Sequence, residues 1–178
     1  MASSSNPERS TSVTVRVACA ADFAAVVALN AADVRHLSPL TVTGLERLAR
    51  IACRFTVAEI DGRIGGVLLA IPWSAVHDSV NFRWFKERYA SFIYIDRVVV
   101  ADDVRRVGIA TRLYEDLEQH ARASGASRLA CEINVRPANP GSLAFHNGQG
   151  FIEVGAQDID RDAKTVSMRM KQLSSASH

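Results

Sequence analysis

Arg105-Arg106-Val107-Gly108-Ile109-Ala110 stands between an apolar run, Phe92–Val100, and a helix-like run, Thr111–Ser124. Small residues at Gly108 and Ala110 let a backbone approach a ligand closely. The amides that begin the helix then converge on one point, where the helix dipole favours an anion. The arginines add charge that pairs well with phosphate. The stretch predicts a strand-to-helix junction that holds a phosphorylated ligand, although a plain tight turn would also need small residues.

Composition indicates a single globular domain of ordinary size. The chain has 178 residues, of which 48% are hydrophobic and 22% charged, and its formal net charge is +2. Such a small charge argues against a nucleic-acid partner, which needs a basic face. No run approaches the roughly 18 apolar residues of a membrane span, and no signal segment opens the chain. We therefore expect a cytoplasmic protein that contacts no membrane.

The chain contains three cysteines: Cys19, Cys53 and Cys131. An odd number with no close Cys or His spacing argues against a disulfide framework and against a zinc site. Each lies in an apolar stretch, which favours a small buried hydrophobe. We therefore predict no metal.

Periodicity predicts the element order β-α-α-β-β-β-α-β-α-β-β, a mixed α/β sheet with helices on its faces. Asp61-Gly62 indicates a hairpin, and Gly65-Gly66 indicates a bulge in its second strand. Thr43 is expected to cap the second helix. The aromatic-rich stretch Ser74–Ala90 reads as a loop or a short helix. The domain is predicted over residues 12–172, between disordered tails at 1–11 and 173–178.

Three motifs follow one another in a fixed order. Val98-Val99-Val100 ends a strand, and Arg105–Ala110 then fits the pattern Gln/Arg, two residues, Gly, one residue, Gly/Ala. Asn139–Phe151 later combines an Asn, a short helix and Gly-Phe. In these motifs, and in element order from about Val13 to Lys171, the chain resembles the GNAT superfamily of acyl-CoA-dependent N-acetyltransferases.

The resemblance implies a mostly antiparallel sheet of six to seven strands with about four flanking helices. Its two central parallel strands, Phe92–Val100 and Arg128–Asn134, are expected to splay into a cleft. The implied cofactor is acetyl-CoA, with its pantetheine arm against the first of these strands and its pyrophosphate on the Gly108 junction. The backbone amide of Val98 is a candidate oxyanion donor. The predicted cofactor contacts are Val98, Val99, Val100, Arg105, Arg106, Val107, Gly108, Ile109, Ala110, Thr111, Asn139, Ser142 and Phe145.

Acetyl transfer requires that the amine lose a proton and that the departing thiolate gain one. Asp96 is the first candidate base, because burial in an apolar strand would raise its pKa. An ion pair with Arg97 would explain this residue equally well. Glu132, on the facing strand, is the second candidate. His146 lies seven residues after Asn139, where the resembled family often places a proton-donating Tyr, and is the candidate acid.

Residues ahead of the cleft strand, one residue within it and one on the first helix are expected to bind the amine acceptor. The predicted set is Asn30, Asn81, Phe82, Trp84 and Tyr94, with His36 near the same entrance. For the aromatic residues, a hydrophobic cap on the sheet edge is the alternative interpretation.

The resemblance thus implies an N-acetyltransferase that transfers acetyl by direct attack in a ternary complex. Its acceptor would be a small-molecule or peptide amine, and a homodimer is possible. The alternative is a non-catalytic CoA-binding sensor or interaction module. A nucleoside-triphosphate or dinucleotide protein fits less well, because the junction lacks both a Gly-Lys-Ser/Thr ending and a third glycine.

Overall fold

The structure is a computed structural model that describes residues 12–33, 37–159 and 163–174. Short 3-10 turns at Ala20–Asp22 and Asp102–Val104 precede two of the helices. The strands and helices are, in chain order, β1 (Val13–Val17), α1 (Phe23–Ala32), α2 (Val42–Ile51), β2 (Arg54–Ile60), β3 (Arg63–Pro72), α3 (Val80–Lys86), β4 (Phe92–Val100), α4 (Ile109–Ala123), β5 (Arg128–Arg136), α5 (Pro140–Gly148), β6 (Ile152–Ile159) and β7 (Lys164–Gln172).

The described strands form one seven-stranded sheet in the order β1-β2-β3-β4-β5-β7-β6. Neighbouring strands are antiparallel except β4 and β5, which are parallel. The predicted mixed, mostly antiparallel sheet is confirmed. The described chain has five α-helices rather than about four, because the aromatic-rich stretch forms α3.

Both faces of the sheet are covered by helices. Helix α4 buries a stripe formed by Ile109, Leu113, Leu117 and Ala121, with the spacing of one helical face. Helices α1, α2 and α3 cover the opposite face and bury their own apolar residues in a second cluster. The apolar run of β4 is explained by this arrangement, since it lies between the two clusters.

The parallel strands β4 and β5 separate soon after they begin. Their register contains Phe92 opposite Arg128 and Tyr94 opposite Ala130, and the pairing ends there although both strands continue. The register of β4 against β3 shifts between the partners of Ile95 and Arg97, so Asp96 is an extra residue at a bulge. A bulge bends its strand, which accounts for the divergence. The predicted splayed pair is present.

The predicted hairpin and bulge of β2 and β3 are also found. The strands turn at Asp61-Gly62, where both residues have positive φ. The register then passes from Gly66 to Ile64, which leaves Gly65 as the extra residue.

Two local predictions were wrong. Helix α2 begins at Val42, and its cap is Thr41, whose Oγ1 accepts a hydrogen bond from the Gly44 amide at 3.0 Å. Thr43 lies inside the first turn instead. Leu173, assigned to a disordered tail, is buried and its amide donates to the Ser127 carbonyl at 2.9 Å. Residues 1–11 and 175–178 lie outside the described residues.

The cysteines behave differently from one another. Cys131 is buried and Cys53 is half-buried, but Cys19 is exposed, so its predicted burial was wrong. Within the described ranges, no group of three or more His, Cys, Asp or Glu side chains is placed to hold a metal ion. No helix in that part of the chain combines the length and apolar character needed to cross a membrane.

Candidate active site

A cavity of about 790 Å³ opens at the N-terminus of α4, and we call it the α4 cavity. Gly108 is the N-cap residue of α4 and has a φ of +85°, which glycine adopts without strain. The helix amides that follow have no partner within the helix. Of the predicted cofactor contacts, all but Val107 line this cavity; Val107 is half-exposed outside it.

Arg105 and Arg106, at the junction before α4, are not both free to bind an anion. Arg105 Nη2 lies 2.7 Å from Asp102 Oδ1, so part of its charge is compensated. Arg106 has a φ of +68°, in the left-handed region. Both residues line the α4 cavity. The cradle therefore combines helix amides with one paired arginine and Arg106.

The edge of β4 that faces β5 forms one wall of the α4 cavity. On its other edge, Val98 and Val100 pair with β3. Because the pairing with β5 ends at Tyr94, the backbone groups of Val98–Val100 that face β5 are not bonded to that strand. An extended ligand can add to such an edge as an extra strand.

A second cavity of about 580 Å³ lies on the other side of the splayed strands, and we call it the β5 cavity. Its lining includes Tyr94, Asp96 and Glu132. The two cavities meet at five residues that line both, which are Asp33, Val98, Asn139, Ser142 and His146. A group held in the α4 cavity can therefore meet a group held in the β5 cavity.

Glu132 faces the β5 cavity from the splayed part of β5. Tyr94 donates its hydroxyl proton to Glu132 Oε2 at 2.7 Å. Burial raises the pKa of Glu132, and the negative charge of Asp96 adds to this effect. Hydrogen bonds from Tyr94 and Asn81 act in the opposite direction, but the net pKa lies above the ordinary value. A carboxylate with a raised pKa is suited to accept a proton near neutral pH.

Asp96 has the ion pair that was the alternative interpretation of this residue. His77 Nε2 donates to Asp96 Oδ1 at 3.0 Å, and Arg97 Nε donates to Oδ2 at 2.9 Å. Burial raises the pKa of Asp96, but the bonds from His77 and Arg97 and their charges outweigh it. The net pKa is lowered, so the expected rise was wrong.

His146 is 3% exposed and has both ring nitrogens engaged. Nδ1 lies 2.7 Å from the Ser142 carbonyl oxygen, which can only accept, so Nδ1 carries the proton. Nε2 then accepts from the Tyr114 hydroxyl at 2.6 Å. Burial lowers the pKa of His146, which keeps the ring neutral. The imidazole therefore links α5 to α4 and has no free proton for a thiolate.

The predicted acceptor residues divide into two groups. Tyr94 and Asn81 line the β5 cavity. The Asn81 side-chain amide donates a hydrogen bond to Glu132, and Asn81 Oδ1 accepts one from Gln157 Nε2 at 3.0 Å. Asn30 lies outside that lining and is 2% exposed; it donates to the Ser38 carbonyl oxygen.

Phe82 and Trp84 belong to hydrophobic packing rather than to the cavity. Phe82 is 1% exposed and packs edge-on against Tyr94, with ring centroids 5.5 Å apart. Trp84 packs over Gly155, where a Cβ would lie 2.5 Å from the indole ring. Neither side chain lines the β5 cavity, and both fit the alternative interpretation of an apolar cap.

Several lining residues were not predicted from sequence. His77 holds Asp96 together with Arg97, the ion-pair partner suggested by the sequence, and Tyr114 holds His146. The segment 37–40, between α1 and α2, also lines the β5 cavity. His36 lies outside the described residues. The adjacent positions of Asp96 and Arg97 in an apolar strand suggested their ion pair. Nothing in the sequence marks His77, because it lies in a loop with no motif or periodicity.

The divergent parallel strands thus separate a cradle of helix amides and arginines on one side from the carboxylate of Glu132 on the other. The sequence model described as the Acetyltransferase (GNAT) family matches residues 30–151. The chain therefore belongs to the GNAT family, and this membership supports acetyl-CoA as its cosubstrate. No curated protein matches the chain by sequence.

Several solved structures share the fold. The ribosomal-protein-alanine N-acetyltransferase from Brucella melitensis is 26% identical, with a TM-score of 0.68 over 90% of this chain and 99% of that one. Ard1 from Thermoplasma volcanium is 15% identical, with a TM-score of 0.75 over 90% and 97%. The yncA protein from Salmonella typhimurium, solved with its cofactor acetyl-CoA, is 18% identical, with a TM-score of 0.70 over 94% and 97%.

Proposed function

We propose that the protein is an N-acetyltransferase that moves an acetyl group from acetyl-CoA to a primary amine by direct attack in a ternary complex. The observation that carries this proposal is the junction of the two cavities at Val98, Asn139, Ser142 and His146. Acetyl-CoA in the α4 cavity would present its thioester there, and an amine in the β5 cavity would approach from the opposite side. Holding both reactants in place lowers the barrier.

Glu132 is the base in this scheme. The bound ammonium gives one proton to the Glu132 carboxylate, and the free amine attacks the thioester carbonyl. The N–C bond forms, the C–S bond breaks, and the second amine proton ends on the coenzyme A thiolate. The amide of Val98 would stabilise the oxyanion. Asp96 is not assigned the role of base, because its carboxylate is held by His77 and Arg97.

His146 is not assigned the role of acid either, because both of its nitrogens are engaged. A thiolate whose pKa is near ~8.5, by analogy with cysteine, needs little help to accept a proton. We assign the Tyr114–His146 pair the task of holding α5 beside α4, which positions Asn139 and Ser142 at the junction.

The test is to follow thiol release from acetyl-CoA with a panel of primary amines, alongside calorimetric titration of coenzyme A. We expect coenzyme A to bind and at least one amine to release thiol. Glu132→Gln should abolish most of that release and leave coenzyme A affinity unchanged. Glu115→Gln, an exposed change on α4, is the matched control. Binding of coenzyme A with no thiol release on any amine would contradict the proposal and favour a non-catalytic CoA-binding module.

A further inference from the structure

The guanidinium of Arg97 lies at the β5 cavity and has N–H donors that bond to no described residue. Its side chain is 9% exposed and lines the cavity. Nε donates to Asp96, and Nη1 donates to Asn30 Oδ1 at 2.7 Å. A guanidinium has five N–H donors, and these bonds use two of them. Nη2 has no protein partner among the described residues.

The free nitrogen opens into the cavity rather than being sealed inside the protein. Among the described residues, Thr56 Oγ1 is the one fully buried side-chain polar atom that lacks a partner. Nη2 of Arg97 is therefore accessible, and the open space beside this otherwise buried side chain is the β5 cavity. A buried cationic donor needs an oxygen from water or from a ligand.

Lys164 is a second cation on the same cavity. It is the first residue of β7, is half-buried and lines the cavity from the β6–β7 end of the sheet. Its ammonium forms no ion pair within the part of the chain that the structure describes. The β5 cavity is thus lined by two cations and by three carboxylates, Asp33, Asp96 and Glu132, of which Asp96 is already held by His77 and Arg97.

We propose that the acceptor is an amine that also carries a carboxylate, and this inference rests on the proposed acetyltransferase function. Its ammonium end would meet Glu132, while its carboxylate would bind Nη2 of Arg97 and the ammonium of Lys164. Charge-assisted bonds from a guanidinium favour a carboxylate over a neutral carbonyl. A second ammonium in place of that carboxylate would face Arg97 and Lys164.

The test uses matched acceptors that differ at one group. Each set contains an amino acid, its amide and its decarboxylated amine, for example phenylalanine, phenylalaninamide and phenethylamine. Spermidine serves as the polyamine. Because one hydrogen bond to a charged group is worth about 1.5–3 kcal/mol, we expect the amino acid to have the highest kcat/KM by about tenfold or more. Equal values for the acid, the amide and the amine would overturn the inference.

Variants locate the carboxylate site. Lys164→Gln should raise KM for the amino acid and leave KM for the decarboxylated amine unchanged. Arg97→Gln should raise KM for the amino acid more than KM for the decarboxylated amine, whereas a merely structural role would raise both equally. Arg50→Gln, which removes an exposed charge from α2 outside both cavities, is the control. If Arg97→Gln fails to fold, Lys164→Gln decides the matter, because Lys164 has no ion pair to lose within the described residues.

The two proposals fail differently. If no amine releases thiol although coenzyme A binds, the acetyltransferase proposal fails and the acceptor inference fails with it. If amines react with no preference for a carboxylate, or if spermidine is the best acceptor, the inference alone is overturned. Equal KM increases for both acceptors in Lys164→Gln would also overturn it.

Discussion

Alanine at Gly108 separates the folding role of this residue from its predicted role in binding coenzyme A. Gly108 has a φ of +85° at the start of α4, and Gly125 has a φ of +75° just after its end. A Cβ on either residue would meet no heavy atom within 4 Å. The left-handed backbone costs an L-residue about 1–2 kcal/mol. Gly108→Ala and Gly125→Ala should therefore lose the same free energy of unfolding.

Of Gly108 and Gly125, only Gly108 lines the α4 cavity, so only the methyl group of Gly108→Ala would occupy space at the predicted diphosphate site. Losing one charge-assisted hydrogen bond from a backbone amide is worth about 1.5–3 kcal/mol, or roughly 10- to 150-fold in affinity. We expect that loss of coenzyme A affinity for Gly108→Ala and unchanged affinity for Gly125→Ala.

Two measurements on the same preparations are sufficient. Urea denaturation gives the free energy of unfolding, and calorimetric titration gives the Kd for coenzyme A. The reasoning is refuted if both variants lose similar stability and bind coenzyme A as tightly as the unaltered protein. In that case the junction would be a tight turn and no more.

Four further predictions concern Glu132, the Tyr114–His146 pair and helix α4. Glu132→Gln should lower kcat/KM by about 10²- to 10⁴-fold, as expected for a general base. In the unaltered protein, activity should fall as the pH drops through the raised pKa of Glu132, above the usual carboxylate range, because only the carboxylate accepts a proton. Tyr114→Phe leaves His146 Nε2 buried without a partner and should cost about 1–3 kcal/mol of stability, measured by denaturation. Gly66→Ala places a Cβ 2.5 Å from the first side chain of α4 and should cost about 1–3 kcal/mol, whereas Gly148→Ala, with no atom within 4 Å, should not destabilise.

The predicted cofactor contacts depend on local sequence. A glycine before a helix, an apolar strand ahead of it and an Asn cap on a later helix are features of contiguous residues, and Asn139 Oδ1 does accept from the Ser142 amide at 3.1 Å. Such features depend on neighbouring residues only, so the motifs were enough to predict their positions. Their role in holding acetyl-CoA is still a prediction that the Gly108 experiment tests.

The protonation properties of the residues around the β5 cavity could not be predicted from motifs, because they come from contacts between residues far apart in the sequence. The pKa of Asp96 depends on His77, a loop residue 19 positions earlier. The state of His146 depends on Tyr114, 32 positions earlier. No periodicity or spacing marks such pairs.

Sequence by itself determined the order of the strands and of every helix except α3, the hairpin at Asp61-Gly62 and the glycine junction before α4, because these follow from backbone conformation and periodicity over a few residues. Only the tertiary structure decided which of the two carboxylates has a raised pKa. Burial, hydrogen bonds and nearby charges set a pKa, and all three depend on which side chains the fold brings together. Glu132 and Asp96 are the same kind of group in sequence, and their surroundings shift their pKa values in opposite directions.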